Sequence, residues 1–337
     1  MQVLYYRSPN GNFGDDLNAV LWRDILPKAC FEADDAVLLG IGSIFREDYL
    51  GKPTTENKRV FVLGSGAGTG PLPAQWPNDR WSILAVRGPL TGRLLGLPQA
   101  AVTDSAALLS IARDLLPIDA ERRDIVFFPH YNSVQFSGWK EACALAGFVY
   151  ADPHWPVDRV LRMLGGARLV VTEAMHGAIV ADTLRIPWVP VVCSPAILPF
   201  KWSDWTRSVE LAYRPRLLPP SSGWEALKHL KIRLTDRVHA RSKNAAEEDQ
   251  DLIDDFHRRF GNIAVEDLHP KPALNASKKS AVRAMTALFD PIFQARAANA
   301  LIAAAKSDAY LSDDRIFANR VDRLQDALER LRRAIVT

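Results

Sequence analysis

The sequence predicts an α/β protein with two parallel β-sheets, each flanked by helices, and a helical C-terminal part. Three observations lead to this class. Short apolar runs alternate with helix-like segments, most of these runs end in glycine, polar or charged residues, and beyond 215 the strand pattern gives way to amphipathic helices. Alternation of strand and helix is typical of parallel sheets with helices on both faces.

The apolar runs define the predicted strands, and the segments between them define the predicted helices. Strands are expected at 2–6, 36–44, 59–66, 82–88 and 100–106, then at 124–130, 147–153, 167–173 and 187–193. Helices are expected at 16–26, 89–97, 137–146, 156–165 and 176–185. Ligands of such sheets bind at the carboxyl ends of the strands, so a cleft between the two sheets is the expected binding site.

The pattern also divides the chain into three parts. A break after the first five strands gives predicted domains at 1–118 and 119–214, followed by a linker and helical extension at 215–337. The proline-rich linker covers 215–223. In the last helix an apolar stripe recurs every three or four positions, at Phe317, Val321, Leu324, Leu328, Leu331 and Ile335. We expect it to dock on the body of the same chain, because about three heptads is the lower limit for a coiled coil.

Composition excludes several classes of function. Hydrophobic residues make up 48% of the 337 residues and charged residues 24%, which is typical of a soluble enzyme. No run approaches the ~20 apolar residues of a spanning helix, and no signal peptide is evident, so a cytoplasmic protein is expected. A net charge of +3 does not favour nucleic-acid binding. The three cysteines contain no CxxC pair, which predicts buried thiols rather than disulfides or zinc.

The first candidate site follows the first predicted strand, in the sequence NGNFGDDLN. Gly11 and Gly14 suit a tight turn, and either Asp15 or Asp16 can cap the helix that begins there. Capping needs only one aspartate, so the other, together with Asn12, stays open as a functional group. The stretch is not a dinucleotide fingerprint, because no GxGxxG follows the strand.

Polar residues also end the later strands of the first half. LGIGS with Ser43 and LGSGAGTG with Ser65 expose amides that suit a phosphate or sugar, but they lack the lysine of a P-loop. Arg87, where a strand gives way to a helix, is either a ligand for a carboxylate or phosphate or a surface ion pair. Asp104 is expected to cap a helix. Lys201, beyond the last predicted strand and flanked by aromatic residues, is either a ligand cation or a solvated charge.

The strongest local signal is TEAMHGAIVADTLRIPWVPV. Here Glu173 ends a strand, and His176 and Gly177 open an alanine-rich helix. Free amides at a helix N-terminus bind anions, and an imidazole there can exchange a proton near neutral pH. His130 and His154 also end strands, but the spacing of the three histidines carries no ligand pattern, so no metal is expected.

Taken in order, these motifs resemble the polysaccharide pyruvyl transferases, and within them the bacterial exopolysaccharide branch. The resemblance rests on NFGDDLN, VRGPLT, VTDSA, PHYNS, HGAIVADTLRIPWVPV and FKWSDW. It implies a GT-B-like fold, in which two Rossmann-like domains face a cleft. It also implies transfer of a pyruvyl group from phosphoenolpyruvate to two hydroxyls of a sugar, with formation of a cyclic ketal and release of phosphate, and no cofactor.

The resemblance also suggests roles for the candidate residues. His176 is implied as acid and phosphate ligand, and Asp16, in preference to Asp15, as the group that deprotonates or orients the acceptor. Donor binding is expected of Arg87, Lys201, Gly177 and His130, and acceptor or loop contacts of Asn12, Gly14, Asp15, Ser43, Ser65 and Glu173.

One position departs from the family pattern. Many members carry an arginine two residues before the histidine, where this chain has Ala174. Either Glu173 and Arg185 mark a different arrangement of cations, or Lys201 and Arg87 bind the donor instead.

Two other functions stay open. A nucleotide-sugar glycosyltransferase could use the same architecture, with Glu173 as the acidic residue of its donor pocket. A non-catalytic sugar-phosphate binding subunit of a polysaccharide assembly complex is the other.

The expected acceptor is a lipid-linked oligosaccharide, so the basic amphipathic segment 224–244 could rest on the inner face of the cytoplasmic membrane. We favour the simpler expectation that this segment packs on the body of the protein with its basic face in solvent.

Overall fold

The computed structural model has a mixed α/β architecture with two parallel sheets. It describes residues 1–46, 50, 55, 57–68, 70–73, 79–112, 114–116, 121–235, 248–261 and 276–336. Both predicted parallel sheets are present, which confirms the predicted α/β class.

The first sheet contains four parallel strands in the order β1-β2-β3-β4. Their bounds are Gln2–Leu4, Ala36–Leu39, Arg59–Ser65 and Trp81–Val86. Each strand pairs with the next along the chain, so that Val3 lies opposite Leu38 and Val37 opposite Val60. The central strands β2 and β3 are buried on both faces, as expected for a sheet with helices on either side.

The prediction of a strand at 100–106 is wrong. Ala101 forms an isolated bridge with Val86, and the chain then turns into a 3-10 helix, Ser105–Ile111. Asp104 stabilises this turn, because its Oδ1 accepts a hydrogen bond of 2.9 Å from the backbone N–H of Ala106. A short polar side chain that bonds its own backbone thus ends the sheet where apolar periodicity predicted another strand.

The second sheet contains five parallel strands in the order β6-β5-β7-β8-β9. In chain order, β5 to β9 are Asp124–Phe128, Val149–Tyr150, Ala167–Thr172, Trp188–Val192 and Arg216–Leu217. The last of these strands lies within the segment predicted as a linker, where Arg216 pairs with Val191. The linker prediction needs correction at this point, because the proline-rich segment first adds an edge strand to the sheet.

Helices surround both sheets. They are α1 Phe13–Ile25, α2 Pro89–Leu94, α3 Trp139–Ala146, α4 Val157–Gly165, α5 Met175–Thr183, α6 Pro199–Ser208, α7 Gly223–Thr235, α8 Asp249–Phe260, α9 Ala276–Ala287, α10 Asp290–Ala305 and α11 Asp314–Val336. All the helices predicted between the strands are present, with their ends displaced by a few residues.

Helix α1 is fixed to the first sheet by its apolar face and by one amide side chain. Phe13, Leu17 and Trp22 recur at helical spacing and are fully buried. Asn18 lies beside them, and its Oδ1 accepts hydrogen bonds from Trp22 Nε1 and from the backbone N–H of Ile41, at 2.9 and 3.0 Å. The first turn of α1, which carries both candidate aspartates, is therefore held at the end of β2.

Helix α11 brings the chain back from the second sheet to the first. Arg330 Nη2 donates to the carbonyl of Leu84 at 3.1 Å, and Arg323 Nη2 donates to that of Ala101 at 3.0 Å. The predicted apolar stripe faces the core, with buried side chains at Val321, Leu324, Leu328, Leu331 and Ile335. Each buried leucine contributes about 1.5–3 kcal/mol. The prediction that this stripe docks on the same chain is confirmed.

Helix α7 covers the described part of the predicted basic amphipathic segment; residues 236–244 lie outside the described residues. It packs on the body through Glu225 and His229, which are buried, whereas Leu227, Leu230 and Leu234 are exposed. As expected, α7 packs on the body and leaves the basic side chains of Lys231 and Arg233 exposed. The exposure of its leucines was not predicted.

Cys30, Cys143 and Cys193 are buried and form no disulfide, which confirms the prediction of buried thiols. Within the described part of the chain, no helix has the length and apolar character needed to cross a membrane.

Candidate active site

Loops from both sheets meet at the carboxyl ends of their strands. The backbone N–H of Phe13, at the start of α1, donates to the carbonyl of Pro153 at 2.8 Å. Its ring meets Phe128, at the end of β5, edge to face with centroids 5.6 Å apart. The polar side chains gathered around this junction are Asn12, Asp15, Ser43, Arg46, Asp104, His130, Tyr131, His154, His176 and Lys201.

The two adjacent aspartates of NFGDD have different surroundings. Asp16 Oδ2 accepts a hydrogen bond of 2.8 Å from the backbone N–H of Asn12, which satisfies an unpaired donor at the start of α1. Asp15 instead accepts a hydrogen bond from Asn12 Nδ2 and is close enough to His176 and Lys201 to interact electrostatically with both. The sequence-based assignment placed Asp16 toward the acceptor; the geometry gives Asp16 the capping position and Asp15 the position at the site.

Burial dominates the acidity of Asp15. It raises the pKa of this carboxyl to about 6, while the opposing effects of His176, Lys201 and the bond from Asn12 lower it only in part. Asp15 is therefore mostly ionised at neutral pH and yet a stronger base than an ordinary aspartate. These are the properties of a general base.

His176 lies at the start of α5 and packs against the backbone of α1. A side chain at position 14 would place its Cβ 1.9 Å from His176 Nδ1, so Gly14 is needed for the imidazole to approach this closely. On its other side, His176 Nε2 lies 3.7 Å from Asp104 Oδ2. This separation is too long for a direct hydrogen bond but suits an ionic interaction.

The facing atoms of His176 and Asp104 are both buried, and neither has a hydrogen-bond partner among the described residues. Asp104 does cap a helix as predicted, but it uses only Oδ1 for this purpose. Its second oxygen is left without a partner, which is costly unless the atom has another task. The sequence VTDSA gave no sign of this second role, because capping alone explains an aspartate at such a position.

Lys201 is a half-buried cation in the first turn of α6. Burial, reinforced by the positive charge of Arg87, lowers its pKa to about 8, and Asp15 and Asp104 oppose this shift. A side chain at position 68 would place its Cβ 2.9 Å from Lys201 Cδ, so Gly68 makes room for the lysine. Lys201 Nζ forms no hydrogen bond or ion pair with any residue that the structure describes. An ammonium group in this state is well suited to bind an anion.

His130 is held neutral at the end of β5. Burial, followed by the positive charge of Lys201, lowers its pKa to about 3. The backbone N–H of Asn132 donates to His130 Nδ1 at 3.3 Å, so the single proton of the ring belongs on Nε2. His130 is therefore a hydrogen-bond donor at this site and not an acid.

Sequence reasoning missed two residues of this site. The positive charge of Arg46 is close enough to lower the pKa of both Lys201 and Tyr131, so its guanidinium lies near both side chains. Tyr131 follows His130, and burial raises its pKa. Their positions after the strands of LGIGS and PHYNS were the available signal, but glycine and histidine drew attention away from the neighbouring arginine and tyrosine.

Arg87, predicted to bind the donor, has no exposed surface. Its Nε donates to Asp204 Oδ2 at 3.0 Å, its Nη1 to Ser43 Oγ at 2.8 Å, and its Nη2 to the carbonyl of Ala67. Asp204 also accepts bonds of 2.9 and 2.6 Å from the backbone N–H and hydroxyl of Thr91. Arg87 is therefore turned into the protein and positions the loops after β2 and β3 instead of facing the cleft.

Three more of the residues assigned to ligand contacts are occupied within the protein. Ser65 is buried, and its hydroxyl donates to the carbonyl of Gly42 at 3.0 Å. Glu173 is also buried, and its Oε1 accepts hydrogen bonds of 2.8 Å from the backbone N–H groups of Cys193 and Ser194. Burial raises its pKa.

Gly177 serves close packing. A Cβ at this position would lie 2.5 Å from Phe128 Cδ1 and 2.6 Å from Thr172 Oγ1, and its N–H is already bonded to the carbonyl of Ala174. The structure therefore does not bring Ser65, Glu173 or Gly177 to the cleft as ligand groups.

The cation that the family pattern has at the position of Ala174 is not supplied by Arg185. Arg185 is directed away from the site: its Nη1 donates to Ser312 Oγ at 3.0 Å, and its Nη2 pairs with Asp314 at 2.6 Å. Of the two arrangements considered for this chain, the one that relies on Arg185 is not supported. Lys201 remains at the site, together with Arg46.

The histidines do not converge on a metal. His154 Nδ1 pairs with Asp152 Oδ1 at 2.9 Å, whereas His176 faces Asp104. Within the described ranges, no group of three or more histidine, cysteine or acidic side chains is arranged to hold a metal ion.

Known proteins resemble this chain over the site and beyond it. A family model described as "Polysaccharide pyruvyl transferase" matches residues 104–195, which include Asp104, His130 and His176. The succinoglycan biosynthesis protein ExoV of Rhizobium meliloti (strain 1021) is 33% identical over 338 residues, which cover 99% of each chain. No solved structure matches the chain. The resemblance found in the motifs is thus confirmed: the chain belongs to the polysaccharide pyruvyl transferase family and is a transferase.

Proposed function

We propose that the protein transfers a pyruvyl group from phosphoenolpyruvate to two hydroxyls of a sugar during exopolysaccharide biosynthesis, forming a cyclic ketal and releasing phosphate. Family membership supports the class of reaction. The observation that carries the assignment to this site is the meeting of a half-buried ammonium group, Lys201, with Asp15 and His176. These groups come from the strand ends of both sheets.

The donor is a small molecule with two anionic groups, a carboxylate and a phosphate. Lys201 and His176 are assigned to the phosphate, because a half-buried ammonium and an imidazole at a helix N-terminus favour a multiply charged anion. Arg46 is assigned to the carboxylate, which a guanidinium can bind through two parallel hydrogen bonds. The hydroxyl of Ser43 accepts a bond from Arg87, so its own proton is available for the donor.

The reaction fixes what the other residues must do. In the first step the vinyl carbon of the donor gains a proton, and the adjacent carbon forms a bond to a sugar oxygen whose own proton is removed. In the second step the bond from that carbon to the phosphate oxygen breaks, and the second sugar oxygen takes its place with loss of its proton. One hydroxyl proton balances the new methyl group, and the other leaves with phosphate. The site must therefore hold a base near the acceptor and an acid near the vinyl carbon.

Asp15 and His176 are assigned to these two roles. Asp15, with a pKa of about 6, accepts the proton of the sugar hydroxyl. His176 delivers the proton to the vinyl carbon, and the carboxylate of Asp104 at 3.7 Å stabilises the charged imidazole before the proton is given up. His130 stays neutral and donates a hydrogen bond to the donor or the acceptor.

The finer architecture and the cellular setting belong to the same proposal. Two parallel sheets whose loops meet at the carboxyl ends of their strands, and the return of α11 to the first sheet, support a GT-B-like arrangement with domains at 1–118 and 119–214 and the extension at 215–337. We assign the acceptor as a lipid-linked oligosaccharide, and the protein to the cytoplasm at the inner face of the membrane. The reaction as written needs no cofactor besides its donor substrate.

The structure weakens the alternatives left open by the sequence. A nucleotide-sugar glycosyltransferase would have used Glu173 in its donor pocket, but both oxygens of Glu173 accept backbone hydrogen bonds, including one of 3.1 Å from His130. A non-catalytic subunit is disfavoured because the family is one of transferases.

The test is to incubate the protein with phosphoenolpyruvate and a panel of lipid-linked and free oligosaccharides. Phosphate release and the mass of the glycan product are followed together. We expect phosphate release only with a suitable acceptor, in equal amount to the ketal formed, and loss of both in His176→Gln. Lys140→Met, at an exposed lysine away from the cleft, is the matched control. Absence of phosphate release with every acceptor tested, alongside tight binding of a nucleoside diphosphate, would favour the glycosyltransferase instead.

A further inference from the structure

An exposed apolar surface lies on three neighbouring helices at the second sheet. We call it the docking surface; it consists of Leu227, Leu230 and Leu234 of α7, Met285 of α9, Leu288 and Phe289 between α9 and α10, and Ile292 of α10. These side chains are 45% to 81% exposed. Single exposed apolar residues are common in soluble proteins, but a group of seven large ones on adjoining helices marks a surface that something covers.

The helices of the docking surface are joined at their ends. The backbone N–H of Gly223, at the start of α7, donates to Asp290 Oδ1, at the start of α10, at 2.9 Å. A Cβ on Gly223 would lie 2.7 Å from the carbonyl of Thr286 near the end of α9, so glycine is required at this crossing. Leu227 and Leu230 follow Gly223 at four and seven positions, on the same face of α7. The apolar face of α7 therefore starts at the junction with α9 and α10.

Among the side chains that the structure describes on α7, α9 and α10, the exposed charged ones are basic. On α7 these are Lys231 and Arg233, whereas Lys228 is only half-exposed and the single acidic residue, Glu225, is buried with its Oε2 accepting a hydrogen bond of 2.8 Å from the hydroxyl of Ser221. The neighbouring helices add Arg283 and Arg296. An apolar face bordered by basic side chains is complementary to a bilayer with anionic headgroups. A second copy of the same surface would bring like charges together.

The helices that carry the docking surface also contact the loop that follows His130. Lys228 Nζ donates to the carbonyl of Asn132 at 2.7 Å, two residues after His130. Further along the same loop, the ring of Phe136 meets Trp224 edge to face at 5.6 Å and lies 4.5 Å below the guanidinium carbon of Arg283. The loop that begins with His130 and Tyr131 is thus packed between the cleft and the helices of the docking surface.

We infer that the docking surface binds the surface of an anionic lipid bilayer and thereby holds the cleft at the headgroup level. The inference rests on the proposed function in one respect: a lipid-linked acceptor would present its sugars at this height. The surface extends beyond the segment 224–244 to α9 and α10, and its apolar anchors include Leu288 and Phe289.

The test is sedimentation with vesicles made either of equal parts phosphatidylglycerol and phosphatidylcholine or of phosphatidylcholine alone. We expect the full-length protein to bind the anionic vesicles, and the binding to weaken as salt is raised. The variant Leu230→Ser/Leu288→Ser/Phe289→Ser should bind these vesicles at least about tenfold more weakly, because it removes apolar area that would enter the bilayer. Leu145→Ser, at an exposed leucine of α3 outside the docking surface, should bind like the wild type.

Controls separate this inference from loss of folding and from the proposed reaction. The triple variant should keep its circular dichroism spectrum and melting temperature, since the side chains it changes are exposed, and should turn over a soluble acceptor normally. Equal binding of the wild type and the triple variant, or no binding by the wild type, would overturn the inference. If the wild type and Leu145→Ser form a concentration-dependent dimer and the triple variant does not, a second copy of the chain covers the surface instead. Vesicle binding does not depend on phosphoenolpyruvate, so failure of the reaction would leave this result standing.

Discussion

Two clusters of charged side chains lie near each other in this protein, and they differ in how their charges are satisfied. The Arg87 cluster consists of Arg87, Ser43, Thr91 and Asp204, and both of its charged side chains are fully buried and multiply bonded. The His176 cluster consists of Asp15, Asp104, His176 and Lys201, and it contains facing polar atoms without partners.

The comparison distinguishes a charge that holds the fold from a charge that serves a ligand. Both Arg87 and His176 lie where a predicted strand gives way to a predicted helix, so position alone does not separate them. Arg87 has an acidic partner at 3.0 Å, whereas Asp104 lies 3.7 Å from His176 and has an oxygen to spare. A buried polar atom without a partner is costly, and sites that bind substrate are where such a cost is tolerated.

We expect the largest effect from a variant that breaks the Arg87 cluster. Arg87→Met leaves Asp204 as a buried charge without its cation, and we expect a loss of about 3–5 kcal/mol in the free energy of unfolding. Arg87→Lys should recover little of it, because an ammonium cannot reproduce three bonds in different directions. Denaturant unfolding followed by fluorescence measures both. Unchanged stability in Arg87→Met, with a specific loss of donor binding, would return Arg87 to the role of a ligand.

The next largest effect should come from variants that distinguish the role of Asp15 from that of Asp16. We expect Asp15→Asn to lower kcat about a hundredfold, since general base catalysis is lost, with stability unchanged or increased. Asp16→Ala should retain most of its turnover and lose about 1 kcal/mol of stability, because Asn12 loses its acceptor. Steady-state phosphate release and thermal unfolding are measured on both variants. Loss of turnover in Asp16→Ala alone would restore the sequence-based assignment.

Asp104 tests the role of the His176 cluster, because its Oδ2 faces His176 and has no hydrogen-bond partner among the described residues. Asp104→Asn keeps an oxygen for the helix cap but removes the negative charge that faces His176, and we expect kcat to fall about tenfold to a hundredfold. If the two residues act as a unit, the double variant Asp104→Asn/His176→Gln should be no slower than His176→Gln alone. Strictly additive losses in this double-mutant cycle would mean that the two side chains act independently.

The smallest effect is the dependence on pH. Asp15 has a folded pKa of about 6, above its ordinary 3.8, so its ionisation costs stability as pH rises from 3.8 to about 6, and that cost stays constant above. Lys201, with a pKa of about 8, loses its charge as pH rises through that value. We expect a bell-shaped profile of kcat/KM with limbs near these two values, each about tenfold per pH unit.

Two variants assign the limbs of this profile. The acid limb should disappear in Asp15→Asn, and the alkaline limb should move to higher pH in Lys201→Arg, because a guanidinium stays charged. Profiles that keep both limbs in these variants would contradict the assignment of either residue.

Much of the fold could be predicted from the sequence, because apolar periodicity reports burial directly. Among the residues that the structure describes, the apolar runs predicted eight of nine strands, and the stripe of α11 correctly predicted a docked helix. The failures have local causes. At 100–106 the run was apolar enough for a strand, but the side chain of Asp104 bonded its own backbone and turned the chain. The edge strand Arg216–Leu217 has exposed side chains, so it left no apolar run to detect.

The candidate site was less predictable, because pairing is decided by residues far apart in the sequence. Asp204 lies 117 positions from Arg87, and nothing near VRGPLT indicates it. Asp15 and Asp16 have the same chemistry and neighbouring positions, and only the direction of each side chain from the first turn of α1 separates them. Position at or beyond a strand end predicted His176 and Lys201 near the cleft, but it predicted Arg87 there as well, and Arg87 is buried against Asp204.

The most direct test of the difference between the two clusters is calorimetric titration with phosphoenolpyruvate. The account predicts that wild-type protein binds one equivalent, that Lys201→Met binds about a hundredfold more weakly with unchanged stability, and that Lys140→Met binds like the wild type. Binding by Lys201→Met with wild-type affinity would contradict it, because the cation at the centre of the His176 cluster would then have no part in holding the donor.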